Sequence, residues 1–224
     1  MHITNFKEGK LQGLSATGND TLLNSFCLKR HEKGKQKNEK AGKTVDICGV
    51  CYSVRSLKSY RALSRPALQK NLYLHEKILS NDNVPFINRS YFRFNHHGEI
   101  LTKTIIKNKS VCFDPAVYIE NILKICRKNP GCTFALWTKR ANILIKFFDD
   151  PANKKPKNLI LVFSNGIVDR VLKKTPRYFD KVFNNVTGDR ARARINCFTK
   201  CRDCLKCYRK SRRQSENVII EKVK

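Results

Sequence analysis

A single seven-residue run does most to restrict the fold. Asn158-Leu159-Ile160-Leu161-Val162-Phe163-Ser164 is apolar at five consecutive positions with no alternation. Both faces of such a strand must be covered, which is the pattern of a central strand in a parallel sheet. Parallel neighbours need crossover connections, and the preceding sequence supplies them. Tyr91-Phe92-Arg93-Phe94 and Cys132-Thr133-Phe134-Ala135-Leu136-Trp137 are two further strand-like runs. Between them Asp114-Pro115-Ala116 opens a helical pattern in which Val117, Ile119, Ile122, Leu123, Ile125 and Cys126 share one face, closed by Asn129-Pro130-Gly131. A shorter helical pattern, residues 141–148, precedes Asp150-Pro151, and a weaker one covers residues 167–173. Mixed three and four spacings predict another helix over residues 61–79, with Pro66 in its first turn. The expectation is an α/β fold of parallel β/α repeats, either an open sheet or a partial barrel, with a Cys-rich metal-binding C-terminal segment.

Charge sets the second expectation. Lys and Arg number 46 against 18 Asp and Glu, a formal charge of +28. Such an excess fits a nucleic-acid partner bound through phosphates, or an acidic protein partner. The basic candidates are Lys29, Arg30, Lys33 and Lys35 near one end, and Arg190, Arg192, Arg194, Arg202, Arg209, Arg212 and Arg213 near the other. Residues 29–43 contain no large apolar side chain and no period, which predicts a mobile basic loop. The segmentation that follows is a leader and mobile loop over 1–43, an α/β metal-binding domain over 44–210 and a basic tail over 211–224. No apolar run approaches the roughly 18–20 residues of a membrane span, and the first residues lack the apolar stretch of a secretory signal. A cytoplasmic location is expected.

Ten cysteines in a reducing compartment point to metal ligands or buried hydrophobes before disulfides. The run Cys197-Phe198-Thr199-Lys200-Cys201-Arg202-Asp203-Cys204-Leu205-Lys206-Cys207 holds four of them. Zinc usually takes two separated Cys-x-x-Cys pairs, whereas the overlapping gaps of Cys201, Cys204 and Cys207 are like those of iron–sulfur proteins. An iron–sulfur cluster of the [4Fe–4S] type is therefore the first expectation and zinc the alternative. Cys48 and Cys51, flanking Gly49-Val50, are added as ligand candidates, and the six thiols are expected to converge on one centre at least in part. Cys27, Cys112, Cys126 and Cys132 read instead as core residues.

Asn95, His96, His97, Gly98 and Glu99 follow the first strand, where α/β folds place their ligand crevice. Lys139 and Asn165 follow the other two strands and are expected on the same rim. Histidines there suit metal binding or proton relay, and Glu99 suits accepting a hydrogen bond. The alternative is a polar connecting loop. Phosphate-loop, dinucleotide, serine-hydrolase and zinc-protease motifs are all missing from the sequence.

The order of these motifs, Cys51-Tyr52, then Tyr91-Phe92-Arg93-Phe94 with Gly98-Glu99-Ile100, then Phe134-Ala135-Leu136-Trp137-Thr138-Lys139, then Leu159-Ile160-Leu161-Val162 and a terminal Cys-x-x-Cys-x-x-Cys-Tyr, resembles the gene product 88-like family of phage proteins. The resemblance spans about residues 44–210. It implies a phage origin, hence the host cytoplasm, and an iron–sulfur centre in a layout similar to shortened radical S-adenosylmethionine enzymes. S-adenosylmethionine is thereby a further candidate cofactor. The sequence departs from that family at Asn95, His96 and His97, and carries Glu99 in place of Asp. Three functions follow as expectations: a metal-centred nucleic-acid-binding protein, a redox or radical enzyme using the cluster, and a zinc-stabilised basic interaction module.

Overall fold

The computed structural model describes residues 1–106, 109–188 and 195–223. Along the chain come β1 (Thr4–Asn5), β2 (Ser15–Ala16), α1 (Ser25–Ala41), α2 (Tyr52–Lys58), α3 (Arg65–Gln69), α4 (Tyr73–Glu76), β3 (Tyr91–Phe94), β4 (Lys103–Ile106), β5 (Lys109–Cys112), α5 (Pro115–Lys128), β6 (Thr133–Thr138), α6 (Ala141–Phe148), β7 (Leu159–Ser164), β8 (Lys181–Val186), α7 (Cys201–Cys204) and β9 (Val218–Lys222). One open sheet runs β1-β2-β3-β6-β7-β8-β9, and β4 pairs with β5 in a separate hairpin. Every pairing in the large sheet is parallel except β1 with β2. The three strands read from the sequence are mutually parallel neighbours, with Phe92 opposite Phe134 and Phe134 opposite Leu159. Closure into a barrel does not occur.

The alternation of side chains divides the core between the two faces. Phe92, Phe94, Phe134, Leu136, Leu159 and Leu161 lie in the larger cluster, packed with Ile119, Ile122 and Leu123 of α5. Ala135, Ile160, Val162 and Phe183 point the other way and meet Leu14, Tyr208 and Ile219. Helix α5 begins as its sequence predicts: Asp114 Oδ1 accepts from Ala116 N at 2.9 Å and Pro115 occupies the first turn. Cys126 and Cys132 are buried, as core residues should be.

Several expectations are corrected. Residues 29–43 are no loop; most of them lie in α1, capped at one end by Asn24, whose Oδ1 accepts from Cys27 N, and at the other by Gly42 at φ +61°. Its lysines, glutamates and glutamine are good helix formers, and tertiary contacts replace the missing apolar stripe. Arg30 pairs with Asp46 at 2.9 Å, Asn38 Oδ1 accepts from Val45 N and Asp46 N, and Gly34 lies directly on Gly49. The residues expected as a leader contribute two strands, with Ser15 opposite Phe92. Residues 61–79 break into short α and 3-10 turns because Asn71 turns inward, donating to Thr17 Oγ1 and Gly18 O and accepting from His2 N. Pro66 does sit in the first turn of α3.

Residues 167–173 are not helical. Asn165 binds Ile167 N and Arg170 O, Asp169 takes φ +61°, and the local amides go to Val45 O and Asn185 O instead of a helix. Strand β8 is unforeseen, since Lys181, Asn184 and Asn185 disguise it. Lys181 is 1% exposed, with Nζ donating to Glu216 O and Asn217 Oδ1. Within the expected tail, β9 pairs with β8, Ile219 opposite Phe183. Cys112 lies exposed on the hairpin, outside the core.

Candidate functional site

The C-terminal cysteines form the first constellation. Cys201 and Cys204 stand three residues apart on the single turn α7, and Leu205, at φ +51°, reverses the chain so that Cys207 follows on a 3-10 turn. Cys197, Cys201, Cys204 and Cys207 line one small pocket with Tyr208 and Ile219 against the sheet. The loop is tied down on two sides. Cys201 N donates to Lys10 O at 2.8 Å, and Asn196 exchanges hydrogen bonds with Val218 and Ile220 of β9. All four thiols are free. Burial pushes Cys197, Cys201 and Cys207 up from the ordinary thiol range, opposed by Lys10 at Cys197 and by Arg93 at the other two. Arg93 itself stacks on Trp137, 4.0 Å from guanidinium to ring centroid.

The donor chemistry fits a soft metal: four thiols in one recess, with cations nearby to offset thiolate charge. Among the described residues no three His, Cys, Asp or Glu side chains already stand in a metal-holding arrangement. Ligation therefore asks the thiols to turn inward and lose their protons.

Cys48 and Cys51 belong to a different group. Lys139 feels Cys48, Glu99, Cys51 and Cys27 as its charged neighbours, whereas Cys207 feels Cys201, Cys197 and Cys204. Cys27, read from sequence as a core residue, thus joins Cys48 and Cys51 beside the half-buried Lys139. Burial raises the Cys27 and Cys48 thiols. Burial works to lower the Lys139 ammonium, while Cys48 first and Glu99 next, as anions, raise it, and the net direction is upward.

The strand-end residues do share one rim, and the geometry distinguishes their roles. Asn95, at φ +57°, donates to Trp137 O and accepts from Tyr118 OH, so its side chain serves the backbone turn. Asn165 likewise serves its own loop through Ile167 and Arg170. His96 sits edge-on to Phe6, and its Nδ1 has no hydrogen-bond partner among the described residues. His97 Nδ1 lies 2.5 Å from Ser53 Oγ, which is 2.5 Å from Thr21 Oγ1. Its ring stacks on Tyr52, and burial lowers it to about 4. Glu99 is buried, accepting from Thr138 Oγ1 at 2.6 Å and Lys139 N at 3.0 Å, with burial raising its carboxyl. Lys139 Nζ donates to Ser164 Oγ at 3.1 Å.

Gly98 makes this packing possible: at φ +73° it abuts Asn19, where a β-carbon would collide with the amide side chain. Asn19 and Asn24 both donate to Glu99 O at 2.8 Å. Sequence reasoning missed Ser53 and Asn19, and read Cys27 as a core residue. The one available signal was position, since Ser53 directly follows Cys51-Tyr52 and Asn19 sits in a Gly-Asn-Asp run.

The chain matches no family model, no curated protein and no solved structure. Its chemistry is read from the geometry alone.

Of the basic candidates, Lys29, Lys33 and Lys35 are exposed on α1, and Arg202, Arg209, Arg212 and Arg213 are exposed around the cysteine loop. Arg30 is half-buried in its ion pair with Asp46. Arg190, Arg192 and Arg194 lie outside the described residues. Among the described residues no helix is long and apolar enough to cross a membrane.

Proposed function

We propose that this chain is a metal-centred α/β protein that binds nucleic acid through its basic surface. The observation that carries the reading is the single pocket that Cys197, Cys201, Cys204 and Cys207 line as free thiols. An iron–sulfur cluster, of the [4Fe–4S] kind, is the first candidate and zinc the second, because overlapping two-residue gaps suit thiols shared among several irons. Such a centre supplies one-electron chemistry if it is a cluster and a structural clasp in either case. The chain contributes the thiolates, the countercharge of Arg93 and Lys10, and the apolar floor of Ala135, Ile160 and Val162. Helix α1 contributes to nucleic-acid binding by setting Lys29, Lys33, Lys37 and Lys40 at helical spacing on its exposed surface.

Anaerobically purified protein should contain iron and acid-labile sulfide in comparable amounts, or zinc without sulfide. Cys204→Ser should release most of the metal and lower the unfolding midpoint, since ligation and folding are coupled. Full metal content in a variant lacking Cys201, Cys204 and Cys207 would overturn the assignment.

The strand-end rim favours a second reading, an enzyme using the cluster. Its support is the buried Glu99 and the half-buried Lys139 beside the hydrogen-bonded Ser53–His97 pair. Binding of S-adenosylmethionine by metal-loaded protein, weakened by Glu99→Gln, is the result expected of that reading.

A further inference from the structure

Helix α2 buries Val54 and Leu57 and turns Tyr52, Arg55 and Lys58 outward. Just beyond it Tyr60 is 69% exposed and Leu63 is 97% exposed. The Arg61 guanidinium sits between the two tyrosines, 6.0 Å from the Tyr52 ring centroid and 5.8 Å from that of Tyr60. Tyr52 is backed by the buried His97 ring, stacked at 5.8 Å and 13°. The aromatic face is therefore held in place from below and open to solvent above. Among the described residues the Arg61 side chain has no carboxylate partner and donates no hydrogen bond. From Asp46 to Glu76 the sequence contains no acidic residue between them.

Two exposed tyrosines beside an arginine that no carboxylate pairs contribute little to a core, because so much of the group faces water. Tyrosine and arginine are enriched in protein-binding patches as well. Here Tyr52 and Tyr60 are interspersed with Arg55, Lys58 and Arg61 and with no acidic residue, a balance that suits a polyanionic partner. We infer that Tyr52, Arg61 and Tyr60 form a stacking platform for the bases of single-stranded nucleic acid, with Arg55 and Lys58 placed for its phosphates. A duplex hides its base faces, whereas an unpaired strand presents them to aromatic rings and to a guanidinium plane. The inference rests on the nucleic-acid reading above and names the form of nucleic acid that surface takes.

Fluorescence anisotropy tests it, with labelled oligothymidylate and a duplex of equal length titrated against the metal-loaded full chain. The single strand should bind more tightly than the duplex. Tyr60→Ala should weaken single-strand binding about ten-fold or more while shifting duplex affinity little. Tyr60→Phe, which keeps the ring, should bind as the wild type does, and Arg61→Ala provides a second loss variant if Tyr60→Ala unfolds. If Tyr60→Ala and Arg61→Ala, both folded by circular dichroism, bind the single strand as the wild type does, the platform is wrong and the nucleic-acid reading stands. Equal affinity for strand and duplex would overturn the platform in the same way. Absence of binding to either probe at low salt overturns both.

Discussion

His75 carries a titratable ring in a place that suits only a neutral one. It is 2% exposed, stacked on Tyr118 at 4.1 Å and 4°, and its Nδ1 finds no partner among the described residues. Burial lowers it to about 3. The unfolded chain takes up that proton near pH ~6.5, while the folded chain resists until far lower, so stability is full above ~6.5 and falls as acid is added. At pH 5 the loss is about 2 kcal/mol for this one ring. His75→Phe should remove that part of the acid sensitivity, read as a smaller drop in urea midpoint between pH 7 and pH 5. Glu99, whose folded carboxyl is raised, acts in the opposite sense but equally in both proteins. In the sequence His96 and His97 stand out by following an apolar strand, whereas nothing local marks His75. Only packing shows that both His75 and His97 stack on a tyrosine and that, among the described residues, His97 alone of the two has a hydrogen-bond partner at Nδ1, in Ser53.

Helix α1 shows how an element escapes a reading based on apolar period. Strands β3, β6 and β7 and helices α5 and α6 were legible because each buries a face written in its own side chains. Helix α1 docks through Gly34 on Gly49 and through the Asn38 amide, features with no period. Strand β8 was hidden for a related reason, its asparagines and lysine being satisfied by residues distant in sequence. The strand-end rim was legible as a place, from polar residues after apolar strands. Which thiols group together was not, since that depends on α1 being a helix. A β-carbon at Gly34 would lie 2.5 Å from Gly49 N, backbone that has no rotamer to yield. Gly34→Ala gains about 1 kcal/mol in helix propensity, but overpacking costs about 1–3 kcal/mol. The expected result is a net loss of stability in urea unfolding, whereas the same change in an isolated α1 peptide should raise helicity.

At the scale of the whole molecule the excess of charge becomes a measurable slope. Lys29, Lys33, Lys37 and Lys40 extend along about 16 Å of α1, taking 1.5 Å per residue, though Lys37 also lies 3.9 Å from Asp46. With about six phosphates neutralised, log affinity should fall against log salt with a slope of roughly −5 on duplex and −4 on single strands. Replacing those four lysines by Gln should flatten the single-strand slope by about 3. Affinity insensitive to salt would reassign the basic surface to another partner. Strand β9 lies at the edge of the sheet. Asn196 is clamped by Val218 and Ile220, which follow the cysteine run in the chain. The cysteine loop is therefore anchored on that side by an edge strand that, among the described residues, pairs with β8 alone. Fraying of that one edge would loosen the loop while β3, β6 and β7 stay paired, so the thiols would become reachable by oxidants well before the body of the sheet opens.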